Sequence, residues 1–279
     1  MTTRPLAAIP MLGCGLAYRA EIADHIRAAR ADIDFVEVAT DQFATRPSRL
    51  DELREIASML PVAPHGTGLS IGSKGSIPRE ILERVRLVSD ITGSAYYSDH
   101  LCMTRVPGID LGHLTPLWFC DEVLAAAVAR IREAQDFLGK PLVLENITYA
   151  FTIPHGQMVE TEFFNQLTAA TGCGVLLDVT NLYINSINHH FDPIAYMNDM
   201  PLDHVVQVHL AGGEWRGSIL ADSHSHPVPE EVWELFSMLC RLTTVKGAII
   251  ERDGNLADFT SLIAEVSRAR AILHGSRGC

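Results

Sequence analysis

Short apolar runs alternate with longer amphipathic stretches eight times along the chain, and this alternation limits the fold more than any other feature of the sequence. The short runs cover residues 9–16, 34–40, 61–65, 95–101, 141–147, 174–181, 205–210 and 247–253. The longer stretches cover 20–31, 48–59, 78–92, 121–138, 160–171, 193–198, 229–242 and 256–273. Within the fourth of these, Val123, Ala126, Ala127, Ile131 and Ala134 recur at helical spacing. Asp121 fits a helix cap and Pro229 a first helical turn. Nearly continuous apolar runs of strand length mark strands buried on both faces, as in a parallel sheet sheathed by helices. Eight strand–helix units in a chain of 279 residues match a closed (β/α)8 TIM barrel of the α/β class. An open, doubly wound sheet is the alternative, but no glycine-rich phosphate turn follows the first run. Without a linker or low-complexity segment, one domain over residues 1–279 is expected.

Barrels of this kind place their chemistry at the C-terminal ends of the strands, and polar residues gather there. The third run ends in His65, the fourth in Ser98-Asp99-His100 and the fifth in Glu145-Asn146. The sixth reads Val175-Leu176-Leu177-Asp178-Val179-Thr180-Asn181, the seventh ends in Gln207-Val208-His209, and the eighth in Glu251-Arg252-Asp253. Side chains alternate across a strand, so Glu145 shares a face with Val143, Asp178 with Leu176 and Glu251 with Ile249. If those apolar partners fill the barrel, the carboxylates point into its mouth. Buried carboxylates need compensation, and a metal ion neutralises several at once. One such residue is an ordinary strand ending; six strand ends in succession carrying metal-ligand types argue for a metal centre.

The segment Asp222-Ser223-His224-Ser225-His226 after the seventh run adds an Asp-x-His pair, with His226 read as a neighbour rather than a ligand. His25, His113, His155, His189, His190, His204 and His274 read as surface or packing residues. The candidate donors are nitrogen and oxygen without sulfur, which suits iron, manganese or zinc.

A formal net charge of −12 repels phosphate backbones, so nucleic acid is not an expected partner. No run approaches the ~18 apolar residues of a membrane span. The apolar segment 6–17 is broken by Pro10, Gly13 and Gly15, which suits a strand and turn better than a signal peptide. Cys14, Cys102, Cys120, Cys173, Cys240 and Cys279 are scattered without a CxxC pair, as expected of reduced thiols in a cytoplasmic protein. No G-x-S-x-G elbow is present, and no cysteine stands out as an activated thiol.

At its strand ends the sequence resembles the multinuclear non-haem iron-dependent oxidative enzymes, a family that includes the oxidase of methanobactin synthesis and the enzyme of the 3-thiaglutamate pathway. The resemblance spans nearly the whole chain and is carried by His65-Gly66-Thr67-Gly68-Leu69-Ser70-Ile71-Gly72-Ser73, Ser98-Asp99-His100-Leu101, Glu145-Asn146, residues 174–181, His209-Leu210-Ala211-Gly212, Asp222-Ser223-His224 and Glu251-Arg252-Asp253. It implies a barrel of the xylose isomerase/endonuclease IV type and two to three iron ions of mixed valence. His65, His100 and Glu145 would hold the first ion, with Glu145 bridging to a second completed by Asp178, His209 and Glu251. Asn181, Asp222 and His224 would hold a third, weaker one. Gly213 stands where the family usually has a histidine, which leaves substrate contacts there open. The implied activity is O2-dependent oxidation of a residue, above all cysteine, in a ribosomally made precursor peptide, aided by a small peptide-recruiting partner protein. A three-zinc phosphodiesterase of the endonuclease IV type would use the same spacing. The charge of −12 and the amide of Asn181 in place of a histidine weigh against it. A sugar isomerase, for want of a mouth lysine, and a non-catalytic barrel rank lower.

Overall fold

The computed structural model describes residues 5–275 except Pro107 and His155, so the readings made above of Cys279 and His155 lie outside the described residues. Eight strands close into a parallel barrel: β1 (Gly13–Ala17), β2 (Val36–Ala39), β3 (Val62–Gly66), β4 (Tyr97–His100), β7 (Leu142–Glu145), β8 (Gly174–Asp178), β9 (Val205–Leu210) and β12 (Gly247–Ile250). They follow one another around the barrel in chain order, and β12 pairs with β1 to close it. The closed (β/α)8 expectation is met.

The pleat explains why nearly continuous apolar strands were needed. Val143, Leu176 and Ile249 pack with Ala17, Ala63 and Tyr96 in a cluster inside the barrel. Their neighbours Leu142, Leu144, Val175, Leu177, Ala248 and Ile250 face outward into the larger core shared with the helices. Each fully buried aliphatic side chain contributes roughly 1.5–3 kcal/mol of transfer free energy, and both faces collect it. The interior cluster forms a dry floor, and the next inward positions on β7 and β8 are Glu145 and Asp178. Register then levels the polar ends: His100 lies opposite Glu145, and Asp178 opposite His209.

The structure departs from the sequence reading at several points. A helix, Val179–His189, starts directly after Asp178, where the strand was expected to run to Asn181. Asp178 is its N-cap: its Oδ1 accepts the backbone N–H of Asn181 at 2.8 Å. A short helix, Thr40–Ala44, likewise takes the last residue expected of the second strand. Asp121 is the first residue of helix Asp121–Leu138 rather than its cap, and its N–H donates to Gln157 Oε1 at 2.8 Å. Pro229 is the capping position of helix Glu230–Leu242 rather than part of its first turn. Two antiparallel hairpins are additions: β5 (Met103–Val106) with β6 (Ile109–Thr115) follows β4, and β10 (Gly212–Arg216) with β11 (Ile219–His226) follows β9. Segment 222–226, read as a loop, is therefore the end of a strand. Among the described residues no helix is long and apolar enough to cross a membrane, and Cys102, Cys120 and Cys173 carry free thiols.

Candidate metal centre

The strand ends converge on a cavity of about 270 Å³ whose lining includes His65, His100, Glu145, Asn181, His224 and Glu251. The nine residues singled out from the sequence fall into three adjoining groups that share carboxylates.

In the first group, Glu145 Oε2 lies 3.1 Å from His65 Nε2 and 3.3 Å from His100 Nε2, and the two imidazole nitrogens are 3.4 Å apart. The far side of each ring fixes what the near side presents. His100 Nδ1–H donates to the Gly66 carbonyl at 2.9 Å. His65 Nδ1–H donates to Ser98 Oγ at 3.0 Å, and that hydroxyl passes its own proton to the Pro64 carbonyl. Both Nε2 atoms therefore direct lone pairs at a carboxylate oxygen, an arrangement that repels unless a proton or a cation sits among the three. Edges of 3.1–3.4 Å are those of ligand atoms sharing an ion at about 2.0–2.2 Å.

In the second group, ligand atoms of Glu145, Asp178, His209 and Glu251 all lie within 4.8 Å of one another. His209 Nδ1 is 3.2 Å from both Glu145 Oε1 and Glu251 Oε2, so Glu145 reaches the first group through one oxygen and the second through the other. Asp178 is fully buried, and its Oδ2 has no hydrogen-bond partner, since Oδ1 serves the helix cap. Asn146 splints β7 to β8 beneath it, exchanging two hydrogen bonds with the Asp178 backbone.

The third group is looser. His224 Nε2 lies 2.7 Å from Asp222 Oδ1 without hydrogen-bond alignment, and its Nδ1 is 3.3 Å from Asp253 Oδ2 and 3.7 Å from Glu251 Oε2. Glu251 thus reaches both the second and third groups. Asn181 donates through Nδ2 to the Asn146 carbonyl, leaving its buried Oδ1 without a partner. His226 Nδ1 lies 2.9 Å from Ser225 Oγ.

The electrostatics follow from crowding acids and imidazoles in a dry barrel. Burial opposes charge on His65, yet Glu37 and Glu145 push it up to about 9, while burial takes His100 below its ordinary value. Burial and the Glu145 charge push Asp178 well above the carboxylate range. Glu145 and Glu251 are held low against burial by neighbouring histidines, and burial pushes Asp99 up to about 7. His209 is raised well above its ordinary value by Glu251, Glu37 and Glu145 despite burial.

Sequence reading missed three polar residues beneath the centre. Glu37 Oε2 accepts from His209 Nε2 at 3.0 Å and from the amide of Gln207, whose Oε1 accepts from the Tyr96 hydroxyl. The available signal was a glutamate flanked by valines in Val36-Glu37-Val38. Gly213, where a histidine was expected of the family, lies in β10 with the Ala221 carbonyl oxygen 2.6 Å from where a Cβ would sit, so this hairpin packs too closely for a side chain there.

Fold and site define a barrel of the xylose isomerase/endonuclease IV type with a group of possible metal ligands at its C-terminal mouth. The chain belongs to the MbnB/TglH/ChrH family of RiPP precursor modification enzymes (RiPPs being ribosomally synthesised, post-translationally modified peptides), whose family model matches residues 13–274. It is 40% identical over 241 residues to a UPF0276 protein of Rhizorhabdus wittichii, covering 85% of this chain and 86% of that one. It is 37% identical over 267 residues to a UPF0276 protein of Caulobacter vibrioides, covering 94% of each. Among solved structures, D-psicose 3-epimerase from Clostridium cellulolyticum H10 superposes with a TM-score of 0.56 at 14% identity, covering 95% of this chain and 98% of that one. At that identity the likeness concerns the fold alone.

Proposed function

We propose that this chain is an iron- and O2-dependent enzyme that oxidises a residue, cysteine in the first place, of a ribosomally synthesised precursor peptide. The observation that carries the reading is the convergence of lone pairs: His65 and His100 Nε2 on Glu145 Oε2, beside the unpartnered Asp178 Oδ2 and Asn181 Oδ1. In this reading His65, His100 and Glu145 hold one ion, Glu145, Asp178, His209 and Glu251 a second, and Asn181, Asp222 and His224 a third. Bound iron supplies redox chemistry with O2, and nitrogen and carboxylate donors without thiolate suit it.

The chain's own residues supply position and dryness. Glu145 ties two groups together at fixed separation, so reactants held at neighbouring ions meet in a set geometry. The apolar floor of Val143, Leu176 and Ile249 excludes water from below. A second cavity of about 450 Å³, walled by Leu117, Phe119, Tyr149, Phe151 and Ile153, adjoins the mouth through the chain neighbours Thr148 and Tyr149. Its size and apolar walls favour a peptide side chain as occupant. The hairpins that rise from the mouth expose Ile109, Trp215 and Ile219, apolar surface that supports a peptide-recruiting partner protein.

Elemental analysis of anaerobically purified protein, followed by incubation with O2, reductant and the precursor peptide, tests the reading. Two to three irons per chain and an oxidised peptide are expected. Protein that binds zinc alone and leaves the peptide unchanged sinks it.

A further inference from the structure

Glu37 lies below the level at which the strand ends gather their donors, yet it is tied to one of them. Its neighbours Val36 and Val38 face the outer core, so the pleat turns Glu37 into the barrel, where it is 3% exposed. The residues opposite it on the flanking strands are Ala17 and Ala63. Two alanines leave room for a glutamate inside a barrel otherwise filled by large side chains.

The hydrogen bonds around Glu37 run one way. The Tyr96 hydroxyl donates to Gln207 Oε1, which orients the amide so that Gln207 Nε2 donates to Glu37 Oε2. His209 Nε2 lies 3.0 Å from both that oxygen and Gln207 Nε2; because the amide hydrogen is directed at the carboxylate, Nε2 carries its own hydrogen toward the same oxygen. Its other nitrogen, Nδ1, is left facing Glu145 Oε1 and Glu251 Oε2 at 3.2 Å each. Every member of this chain is buried, and two alternatives to it are poor. The tautomer protonated at Nδ1 alone would turn the Nε2 lone pair toward the carboxylate, and rotation of the amide would place two oxygens against each other.

We propose that Glu37 is the positioning residue of the centre. Its carboxylate holds His209 Nε2–H so that Nδ1 is the atom offered to the ion shared by Glu145, Asp178, His209 and Glu251. No comparable tie reaches His65 or His100, whose orienting partners are Ser98 and the Gly66 carbonyl. Glu37 therefore hydrogen-bonds a donor of one ion site only, and reaches the first group through its charge on His65 rather than by orienting a ring. Carboxylates that orient a ligating histidine typically change metal affinity 10–100-fold.

The inference rests on the metal reading above, and titration with Zn(II) alone, without peptide or O2, separates the two. Calorimetry on wild type and Glu37→Gln should show one class of sites weakened about 10–100-fold in the variant, with the remaining class weakened no more than about threefold. The metal-free variant should still unfold in one cooperative transition, at pH 6 somewhat below wild type because the charge that raises His65 is gone. Uniform weakening of every class together with loss of the cooperative unfolding transition would mean a purely structural role and overturn the proposal. Identical titrations of variant and wild type would overturn it as well, with the metal reading intact. Wild type that takes up no ion would overturn both. A second measurement needs no variant: in zinc-loaded wild type with 15N-labelled histidine, the His209 ring should show a protonated Nε2 and a metal-bound Nδ1. Coordination through Nε2 would overturn the assignment.

Discussion

Lowering the pH from 8 to 6 should expel metal from the first group, and the size of the effect follows from its geometry. His65 Nε2, His100 Nε2 and Glu145 Oε2 form a triangle with edges of 3.1–3.4 Å, and in the metal-free chain one proton resolves the repulsion among them. That proton rests on His65: Glu37 and Glu145 raise it to about 9 against burial, while burial lowers His100. An entering cation must displace it. With a pKa of about 9, this single competing proton weakens apparent affinity about 90-fold between pH 8 and pH 6, or about 2.7 kcal/mol. His209 and His224 are also raised by their acidic neighbours, so any ion that displaces their protons steepens the dependence. Calorimetric titration in buffers of different ionisation heats measures both the affinity and the protons released per ion. A change smaller than about tenfold over this range, with less than half a proton released at pH 7, would refute the triangle as a proton-holding ligand set.

The metal-free protein should also lose stability as pH rises. His65 binds its proton more tightly folded than at its ordinary value of 6.5, so its contribution is full below pH 6.5 and is lost as pH rises through about 9, amounting to about 3 kcal/mol. Thermal melts of apo protein should fall by several degrees between pH 6 and pH 9.5, and a rise over that interval would contradict the assignment. Glu145→Gln should reduce metal content at two groups, whereas Asp222→Asn should affect one; elemental analysis giving equal losses would indicate a single cooperative cluster. Tyr149→Ala should raise KM for the peptide about tenfold with metal content unchanged, and an unaltered KM would remove the adjoining cavity from substrate binding.

Which parts of this were legible beforehand depends on whether a residue's role is local. The barrel strands and most of their helices could be read because both faces of each strand must be apolar, a condition written residue by residue in Leu142-Val143-Leu144 and Val175-Leu176-Leu177. The inward aim of Glu145 and Asp178 followed from the same period of two. The start of helix Val179–His189 was hidden because Val179-Thr180 continues an apolar, β-branched run. The deciding interaction is the side-chain cap from Asp178 to Asn181, which competes with strand continuation. The hairpins were hidden for another reason: β6 and β11 are mostly exposed or half-buried, so no core imposes a pattern on them. Glu37 went unread because it sits inside its strand rather than at the end, where a lone charged residue has no local explanation. Only the opposing alanines and His209 across the barrel make sense of it.

The cap at Asp178 also joins the fold to the chemistry. One oxygen of this carboxylate accepts the Asn181 N–H, and the other faces the ligand cluster without a partner. In the metal-free chain, burial and the nearby charge of Glu145 drive Asp178 toward the neutral acid, and a neutral acid is a weaker cap for a helix N-terminus than a carboxylate. A cation among Glu145, Asp178 and Glu251 restores the ionised form, strengthening the cap as it binds. Asn181 lies in the first turn of that helix, with its unpartnered Oδ1 belonging to the third group. Occupation of the second group should therefore firm the helix start that carries a donor of the third. If the proposed sites hold metal, the looser third group should then fill after the second, through the backbone they share rather than through direct contact alone.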